Sequence, residues 1–523
     1  MVSDTDFYGQ DVERPFEITA TVSELPAELK SDMKFGLHLR GWNLDGVISD
    51  EPEDSDEPVL TIRLSVDGSL EPKWTVFTDR FPDGIHIGAK DRERLAVSSI
   101  GGYLDRHLAW GKGSALHRLT GTLGGAHNIL NDALRGARDG FAGHDQIESW
   151  QAACNEINEK AKLLGVSSTV PLAPGFDMRA SVGNSGALAL FDGTVPARMY
   201  GMGSRRLLIL SIERQSTEDG AITLIDEIEH GLEPHRLRHL IRHLSLIDED
   251  DAEAVNPEVT GQAFITTHSP ISIVECKASM LHVIRSESGI TNVLQVPEEL
   301  QGLVRSNPEA LLGRKVIVGE GKTEVGLCWG LDYAWAKTDE QPFAYLGVVG
   351  ADGGGNTKAP AVAMHFASLG YKTALIVDSD APISPSRNEV EQAGVEVIQW
   401  PGNYSTEDIV CKDIPWTHLK ALLKSVMDHP EFGEEAVLNV VAAKLNPATT
   451  GQRLGRDMNS WRASGYSEDD IRVGLGHAAN KGRWFKRTDL AERLGRLVGR
   501  ALPLIPDSQL AQELERLKAW VYA

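Results

Sequence analysis

The chain has 523 residues and a formal net charge of −23, which is long enough for two or three domains with a core each. Hydrophobic residues make up 41% and charged residues 24% of the chain, as is ordinary for a globular protein. No stretch has the roughly 18 uninterrupted apolar residues of a membrane helix. The acidic balance excludes a general polyanion binder, because phosphate contacts need local Lys and Arg.

Charge is unevenly distributed, however. The segment 451–500 holds 11 Lys and Arg against 6 Asp and Glu, so contact with DNA stays open. The start of the chain has neither a basic nor an apolar signal region. The 4 cysteines are far apart and form no Cys-x-x-Cys pair, which indicates free thiols. We therefore expect a cytoplasmic protein without a membrane partner.

The first part of the chain predicts a small antiparallel β lobe and then a helical arm. Residues 16–22 and 60–66 alternate between apolar and polar side chains, and a third strand candidate includes Val76 and Phe77. From about residue 102 to 170 the pattern is helical, with the clearest amphipathic stretch at 147–164.

The stretch from 187 to 275 contains three ordered motifs. An apolar helix follows Gly201-Met-Gly-Ser204, a buried strand ends in Asp226-Glu227, and a second buried strand ends in Thr-Thr-His268-Ser-Pro. In this order they resemble the signature motif, Walker B motif, D-loop and switch histidine of ABC-type ATPases. The branch concerned contains the OLD (overcoming lysogenization defect), RecF and SMC proteins.

That resemblance implies roles for four residues. Asp226 would help to hold Mg²⁺, and Glu227 would polarise the attacking water. His268 would sense the γ-phosphate, and Ser204 would contact nucleotide across a dimer interface. Taken one at a time, each motif also fits an ordinary strand-to-helix turn, a structural histidine or a helix start.

The phosphate-binding loop of such an ATPase, Gly-x-x-x-x-Gly-Lys-[Ser/Thr], is not found in the sequence. The most similar string, Trp110-Gly-Lys-Gly-Ser114, has the wrong spacing and follows no strand. In the family this loop precedes the β lobe, so we expect a chain that lacks the first strand and Walker A. ATP is then a doubtful cofactor, and we expect weak or absent ATP hydrolysis.

Two later strand patterns end in pairs of carboxylates. The first runs from Gly313 to Glu320-Gly-Lys-Thr-Glu324, and the second from Lys372 to Asp378-Ser-Asp380. An extended backbone would point both aspartates the same way, and a helix would bring Glu324 back towards Glu320. The carboxyl ends of parallel strands share one edge of a sheet, so these side chains should meet there. Mg²⁺ or Mn²⁺ suits such an oxygen ligand set.

These two patterns, about 60 residues apart, resemble the TOPRIM metal site of topoisomerases, bacterial primases and OLD nucleases. The resemblance implies that Glu320 is a general acid/base or a metal ligand. It also implies that Asp378 and Asp380 hold the metals with help from Glu324. A two-metal site is expected, with ions roughly 4 Å apart.

Further candidates surround this module. The glycine-rich stretch 351–358 fits a strand-to-helix turn better than a phosphate loop, although Lys358 could touch a DNA phosphate. Residues 395–401 predict a fourth strand. Glu407 follows the helix cap Ser405 and is a secondary metal candidate, and the cap alone explains it about as well.

OLD nucleases carry a lysine after the metal module that neutralises the scissile phosphate. Lys486 is our choice for this catalytic role and Lys481 the substitute; a DNA-backbone contact without a catalytic part is the alternative. In the final helix, leucines spaced for packing predict domain core or dimer contact: Leu510, Leu514 and Leu517.

We therefore predict an α/β protein related to OLD-family ATP-dependent endonucleases and to the nuclease subunit of Gabija-type phage defence. Residues 1–300 form an ABC/SMC-like ATPase domain with a β lobe and a helical insertion. Residues 301–415 form a TOPRIM domain with a Rossmann-like parallel sheet. Residues 416–523 form a helical C-terminal region with a basic segment.

The predicted function is metal-dependent endonucleolytic cleavage of DNA, in phage defence or repair. The expected partners are DNA, a second copy in a homodimer or larger oligomer, and a helicase-like or other defence protein. One alternative is a DNA- or partner-binding remnant that uses the ATPase-like domain as a scaffold. A topoisomerase or primase ranks last, because no nucleophilic tyrosine has supporting context among Tyr404, Tyr466 and Tyr522.

Overall fold

The computed structural model describes residues 2–95, 97–100, 107–109, 114–120, 147–163, 170–177, 187–216, 222–244, 261–338, 340–445 and 454–523. The chain divides into two compact units, Met1–Ser272 and Ile273–Ala523. Both units combine helices with strands, which confirms the predicted α/β class. Within these ranges, no helix has the length and apolar character needed to cross a membrane.

The first unit begins with the predicted antiparallel β lobe. Its strands are β1 (Phe16–Val22), β2 (Arg40–Trp42), β3 (Ile48–Ser49), β4 (Glu57–Val66), β5 (Lys73–Val76) and β6 (Ile85–His86). Strand β4 is central and pairs antiparallel with β1, β2 and β5. Leu60 and Ile62 of β4 are buried in one cluster with Leu29 of helix α1 (Ala27–Lys30), so the lobe has a small core of its own.

A three-stranded parallel sheet carries the ATPase-like motifs. Its strand order is β12 (Gln262–Ile265), β11 (Ile222–Ile225) and β7 (Val97–Ile100). The sequence predicts β11 and β12 but not β7, because two of the four residues in β7 are serines. A separate antiparallel sheet, also not predicted, contains β8 (Leu172–Asp177), β9 (Ala187–Asp192) and β10 (Val195–Pro196).

The helices of the first unit follow the predicted pattern where they are described. After α1 they are α2 (Ala89–Glu93), α3 (Ala115–Thr120), α4 (Ile147–Leu163), α5 (Met202–Ser216), α6 (Pro234–Leu244) and α7 (Pro270–Glu275), the last of which spans the division between the units. Helix α4 is the predicted amphipathic stretch. The rest of the predicted arm lies largely outside the described residues, as do residues 110–113 of the Trp-Gly-Lys-Gly string.

The second unit is built on a four-stranded parallel sheet, as the sequence predicts. Its order is β16 (Val348–Asp352), β15 (Lys315–Gly319), β17 (Lys372–Val377) and β18 (Val395–Gln399). A hairpin of β13 (His282–Glu287) and β14 (Ile290–Gln295) precedes it. The hairpin groups with the second unit, since neighbouring Ala278 and Val296 are buried with Val316 of β15. The predicted domain boundary at residue 300 stays a prediction.

Helices cover both faces of this sheet. They are α8 (Gln301–Ser306), α9 (Lys322–Ala336), α10 (Phe343–Leu346), α11 (Ala359–Ser368), α12 (Arg387–Gln392), α13 (Thr406–Asp413), α14 (Trp416–Met427), α15 (Glu434–Leu445), α16 (Met458–Ala463), α17 (Glu468–Gly482), α18 (Thr488–Ala501) and α19 (Gln509–Tyr522). Alternate residues of β15 face opposite sides: Ile317 is buried with the C-terminal helices, and Val316 and Val318 with α11.

The predicted C-terminal region shares this core. Leu510, Leu514 and Leu517 of α19 are fully buried in the same cluster as Ile317 and Ile376 of the sheet. These leucines are therefore domain core. The predicted domain boundary near residue 415 stays a prediction.

Helices α9 and α18 run side by side at unusually short range because glycines face each other. A Cβ on Gly330 would lie 2.6 Å from the Cα of Gly495 and would also meet backbone atoms of Glu492 and Arg496. A Cβ on Gly326 would collide with Ala491, and one on Gly499 with Ala334. The contacts advance together along both helices, so the helices run in the same direction.

Adding one methyl group at this contact should destabilise the second unit. Because Gly330 faces backbone atoms that cannot rotate away, we expect Gly330→Ala to lower the free energy of unfolding by about 1–3 kcal/mol. As a control, Gly302→Ala lies in α8 with nothing within 4 Å of the added Cβ, and it should be neutral or stabilising by up to about 1 kcal/mol. Urea unfolding followed by circular dichroism measures both; equal effects would contradict the close contact.

Candidate functional site

Acidic side chains from three pieces of chain meet at the carboxyl edge of the second unit's sheet. Glu320 follows β15, Asp378 follows β17, and Glu407 lies in the first turn of α13 after β18. The backbone N–H of Asp378 donates to Oε2 of Glu320 at 3.1 Å. This bond ties the ends of two neighbouring strands together, as the parallel order predicts.

A buried threonine joins the carboxylates. Oγ1 of Thr406 lies 2.9 Å from Oε1 of Glu324 and 2.8 Å from Oδ1 of Asp378. Nε1–H of Trp400 donates to the same Oγ1 at 2.8 Å. A hydroxyl has one hydrogen and can donate to only one carboxylate at a time. The second short contact therefore calls for a proton on a carboxyl group or for a cation beside it.

Thr406 is not among the residues predicted from the sequence. Its backbone N–H also donates to Oδ1 of Asp378, at 2.8 Å. Thr406 therefore contacts that carboxylate with both its backbone and its side chain. The pattern Ser405-Thr406-Glu407 is typical of a helix start, and Ser405 is indeed the N-cap that accepts from the N–H of Asp408. The only available signal was the position of this helix start after a predicted strand of the same sheet.

Two of the carboxylates are almost completely enclosed. Glu324 and Glu407 are each 1% exposed. Oε2 of Glu324 accepts from the N–H of Gly321 at 2.8 Å, which closes the first turn of α9. Oε1 of Glu407 lies 3.4 Å from the hydroxyl oxygen of Thr323. Both glutamates are thus held in place by the start of α9.

Burial sets the protonation of the cluster. Removal from water raises the pKa of Glu320, of Glu407 and, most clearly, of Glu324 and Asp378. Repulsion adds to this, because the charge of Glu407 raises the pKa of Glu324, and Glu324 in turn raises that of Asp378. The cluster therefore favours positive charge in its neighbourhood.

Lys486 supplies such a charge. Burial alone would lower the pKa of its ammonium, but the surrounding carboxylates raise it: Glu324, Glu407, Asp378 and Glu320. Its Nζ lies 4.0 Å from the position that a Cβ on Gly321 would occupy. It makes no ion pair within 4.0 Å in the described part of the chain, so its interaction with the carboxylates is an electrostatic attraction over a longer distance.

The turn before Lys486 explains its position. Helix α17 ends at Gly482, and its C-cap Arg483 adopts a left-handed conformation with φ of 53°. Trp484 and Phe485 are then buried in the core, and the hydroxyl of Thr323 donates to the carbonyl of Phe485 at 3.1 Å. Lys481, the substitute candidate, is exposed on α17. The structure therefore brings Lys486, and not Lys481, to the cluster.

Asp380 departs from the prediction that its carboxylate points the same way as that of Asp378. Asp378 is buried, whereas Asp380 is exposed. Strand β17 ends at Val377, so the alternation of an extended strand does not continue through both aspartates. Asp380 still lies near enough to raise the pKa of Glu320, and its place is at the outer edge of the cluster.

The glycine-rich turn supports the cluster from the other side. The N–H of Gly353 donates to the carbonyl of Gly319 at 2.9 Å, and that of Gly355 to the carbonyl of Glu320 at 2.7 Å. A phosphate loop needs such amides to point into open space. These amides instead hold the end of β15, which favours the predicted strand-to-helix turn. Lys358 of the same turn is exposed.

The donor chemistry fits a hard divalent cation, since the cluster offers carboxylate oxygens. As arranged, however, no three Asp, Glu, His or Cys side chains in the described ranges are placed to hold a metal ion. Several of the oxygens already accept hydrogen bonds from the N–H groups of Gly321 and Asp378 or lie against the hydroxyls of Thr323 and Thr406. The proposed metal ligands would therefore have to exchange some of these bonds for metal contacts, and the metal stays a prediction.

The first unit brings Asp226 and Glu227 to the end of β11. Oδ1 of Asp226 accepts from the hydroxyl of Thr266 at 2.5 Å, and the N–H of Glu227 donates to the same hydroxyl at 2.8 Å. Arg206 of α5 donates to the carbonyl of Asp226. Glu227 has φ of 47°, a conformation that turns the chain sharply after the strand. Thr266 and Arg206 were not predicted.

His268 and Ser204 lie around this turn. Nδ1 of His268 is 2.9 Å from Oε1 of Glu229, and the side chain of His268 is 74% exposed. The hydroxyl of Ser204, at the start of α5, accepts from Arg236 at 3.1 Å. Arg236 therefore contacts Ser204 of the first motif, and Glu229 contacts His268 of the third. Neither Arg236 nor Glu229 was predicted as a site residue.

Replacing Glu324 by Gln should stabilise the metal-free protein at pH 8. Gln can accept from Gly321 and donate to Thr406, so a buried charge is lost while both contacts remain. The pKa of Glu324 is raised to about 7. The folded state therefore binds this proton more tightly than the unfolded chain, and stability falls as pH rises from about 4.3 towards 7.

We expect a gain of roughly 1–3 kcal/mol at pH 8 and a smaller gain at pH 5. Urea unfolding in EDTA measures both values. Asp380→Asn, which changes an exposed carboxylate, serves as the control and should change stability little. A loss of stability at pH 8, or equal gains at both pH values, would contradict the buried-charge account.

Residues 79–274 match the family model described as "AAA domain, putative AbiEii toxin, Type IV TA system". The match covers less than half of the chain and includes all four ATPase-like candidates: Ser204, Asp226, Glu227 and His268. It confirms the prediction of an ATPase-like domain in this part of the chain. No curated protein matches the chain.

Solved structures give remote likenesses. A crystal structure of an SMC head bound to the C-winged helix domain of ScpA is 12% identical, covers 55% of this chain and 75% of its own, and has a TM-score of 0.29. The C-terminal region of the Xanthomonas campestris pv. campestris OLD protein is 15% identical, covers 36% of this chain and 97% of its own, and has a TM-score of 0.18. A second structure of that region is 14% identical, covers 40% and 99%, and also has a TM-score of 0.18.

At such TM-scores these likenesses add nothing to the geometry of the site. The family match supports the ATPase-like part of the resemblance stated from the sequence, and the part that concerns the metal site rests on the sequence motifs alone.

Proposed function

We propose that the second unit is a metal-dependent nuclease that hydrolyses phosphodiester bonds in DNA, and that the ATPase-like domain regulates or dimerises it. One observation carries the proposal. Four carboxylates that belong to separate strand and helix ends are gathered around a single half-buried ammonium, that of Lys486. Folding alone gains little from such a cluster, because burying charges of one sign raises the free energy of the folded state.

The residues of the cluster suit the chemistry of phosphate-ester cleavage. Mg²⁺ or Mn²⁺, when bound by Glu320, Asp378 and Asp380 with Glu324 and Glu407, would supply a water of lowered pKa and offset charge on the leaving oxygen. Lys486 places a positive charge where a phosphate oxygen gains negative charge in the transition state. Glu320 is the least buried of the four carboxylates around Lys486 and would accept a proton from the attacking water.

The chemistry also assigns a role to Thr406, which touches Glu324 and Asp378 but not the solvent. It would keep Asp378 oriented while the cluster exchanges a proton for a cation. Thr406 is therefore a positioning residue in this proposal.

Cleavage of supercoiled plasmid DNA in Mg²⁺ or Mn²⁺ tests the proposal. We expect nicked or linear product from the wild-type chain and at least a hundredfold slower cleavage from Asp378→Asn and Lys486→Gln. Lys481→Gln is the matched control, because it removes an exposed lysine from the same basic segment, and it should retain most of the activity. Circular dichroism verifies that each variant is folded.

Failure of folded wild-type protein to cleave with either metal would overturn the nuclease. The second candidate function, a non-catalytic DNA- or partner-binding protein, would then gain support. One observation favours it: the carboxylates of the described residues are not arranged as a metal ligand set. Equal losses from Lys481→Gln and Lys486→Gln would also contradict the assigned role of Lys486.

For the ATPase-like domain, we propose that this chain by itself hydrolyses ATP weakly or not at all. The sequence offers Asp226 and Glu227 at the end of β11 but no loop of the form Gly-x-x-x-x-Gly-Lys-[Ser/Thr] to grip the phosphates. Phosphate release from ATP should therefore be equal for the wild-type chain and Glu227→Gln. Hydrolysis that is lost in Glu227→Gln would contradict this proposal.

A further inference from the structure

A strip of aromatic and basic side chains leads away from the carboxylate cluster along α9 and α18. We call it the aromatic–basic strip and define it by Trp329 and Tyr333 on α9, by Lys337 at the C-cap of that helix, and by Arg496 and Arg500 on α18. Both helices begin at the cluster, α9 just after Glu320 and α18 just after Lys486, and they run in the same direction. The strip therefore extends from the candidate site over the surface of the second unit.

Two large aromatic side chains of the strip face solvent. Most of α9 is buried, yet Trp329 is 43% and Tyr333 is 40% exposed. They are four residues apart, so their Cβ atoms lie about 5–6 Å from each other on one helix face. Exposed aromatic residues are common when they are isolated, so this pair indicates a binding surface only together with the groups around it.

Those surroundings are cationic. The guanidinium carbon of Arg496 lies 4.1 Å and Nζ of Lys337 lies 4.4 Å from the ring centroid of Tyr333. A hydrogen bond from Lys337 and the charges of Lys337, Arg496 and Arg500 lower the pKa of the Tyr333 phenol. Arg496 also pairs with Glu492 of its own helix, so one acidic group offsets one of the three cations. The strip is locally positive on a chain whose net charge is −23.

We propose that the aromatic–basic strip binds a single-stranded segment of nucleic acid, whose bases stack on Trp329 and Tyr333 and whose phosphates contact Lys337, Arg496 and Arg500. Aromatic faces interleaved with cations are the pattern by which proteins hold single strands. A duplex keeps its bases stacked on one another, so it would use the cations and leave the rings without a role.

Distance along the helix connects the strip to the site. At 1.5 Å per residue, Trp329 lies about 7.5 Å and Tyr333 about 13.5 Å beyond Glu324 along the axis of α9. A strand that follows the strip towards the first turn of α9 would therefore approach the end of the helix that lies at the cluster. The inference rests on the proposed function for its substrate class, DNA, and deepens it by naming an unpaired strand as the form bound beside the site.

Binding of a fluorescently labelled deoxythymidine oligonucleotide, measured by anisotropy with the full chain in EDTA, tests the strip without cleavage. We expect Trp329→Ala and Tyr333→Ala each to weaken binding by about 5- to 100-fold, and Tyr333→Phe to bind like the wild type, since the ring remains. Lys337→Gln should reduce the slope of log affinity against log salt by about 0.7. Tyr345→Ala is the matched control: Tyr345 is 73% exposed, no cation lies over its ring among the described contacts, and its loss should change nothing.

Wild-type affinity in folded Trp329→Ala and Tyr333→Ala would overturn the proposal. An equal loss of affinity for a blunt duplex of the same length would overturn the single-strand assignment. A change of oligomeric state in either variant, measured by analytical ultracentrifugation, would identify the strip as a protein interface instead. The two proposals fail separately: strip variants that lose binding while Asp378→Asn still cleaves plasmid would reject the catalytic site and keep the strip.

Discussion

The ammonium of Lys486 among buried carboxylates is the interaction on which the second unit's site depends. Glu324 and Glu407 are almost fully enclosed, so burial opposes the ionisation of both, and repulsion from Glu407 further opposes that of Glu324. A single positive charge offsets only part of this cost. The position of that charge depends in turn on the left-handed turn at Arg483 and on the burial of Phe485, which together aim the chain at the cluster.

The surrounding fold maintains this arrangement at short range. Glycines let α9 and α18 approach within backbone contact, so the helix that starts at the carboxylates and the helix that starts at Lys486 form one rigid pair. Amides of the glycine-rich turn hold the end of β15. The hydroxyl of Thr406 lies against two carboxylates with one hydrogen to donate. The two contacts of Thr406 call for a proton or a cation beside the carboxylates, and the proposed metal ion would supply that positive charge.

The sequence predicts the sheet and most of the site because each part has a local signature. Apolar runs that end in acid locate β15 and β17, and the parallel order then brings Glu320 and Asp378 together. Lys486 was selected by family resemblance, and only the fold separates it from Lys481. Thr406 could not be found, because its role depends on contacts with Glu324 and Asp378, which lie 82 and 28 residues away in the chain.

The most direct test of the account is diffraction from crystals soaked in Mn²⁺, recorded at the manganese absorption edge. The account predicts an anomalous peak at the carboxyl edge of the second unit's sheet, with oxygens of Glu320 and Asp378 at about 2.0–2.4 Å and Lys486 beside it. Manganese that binds elsewhere in the protein, with these carboxylates still hydrogen-bonded to Thr406 and Gly321, would contradict it.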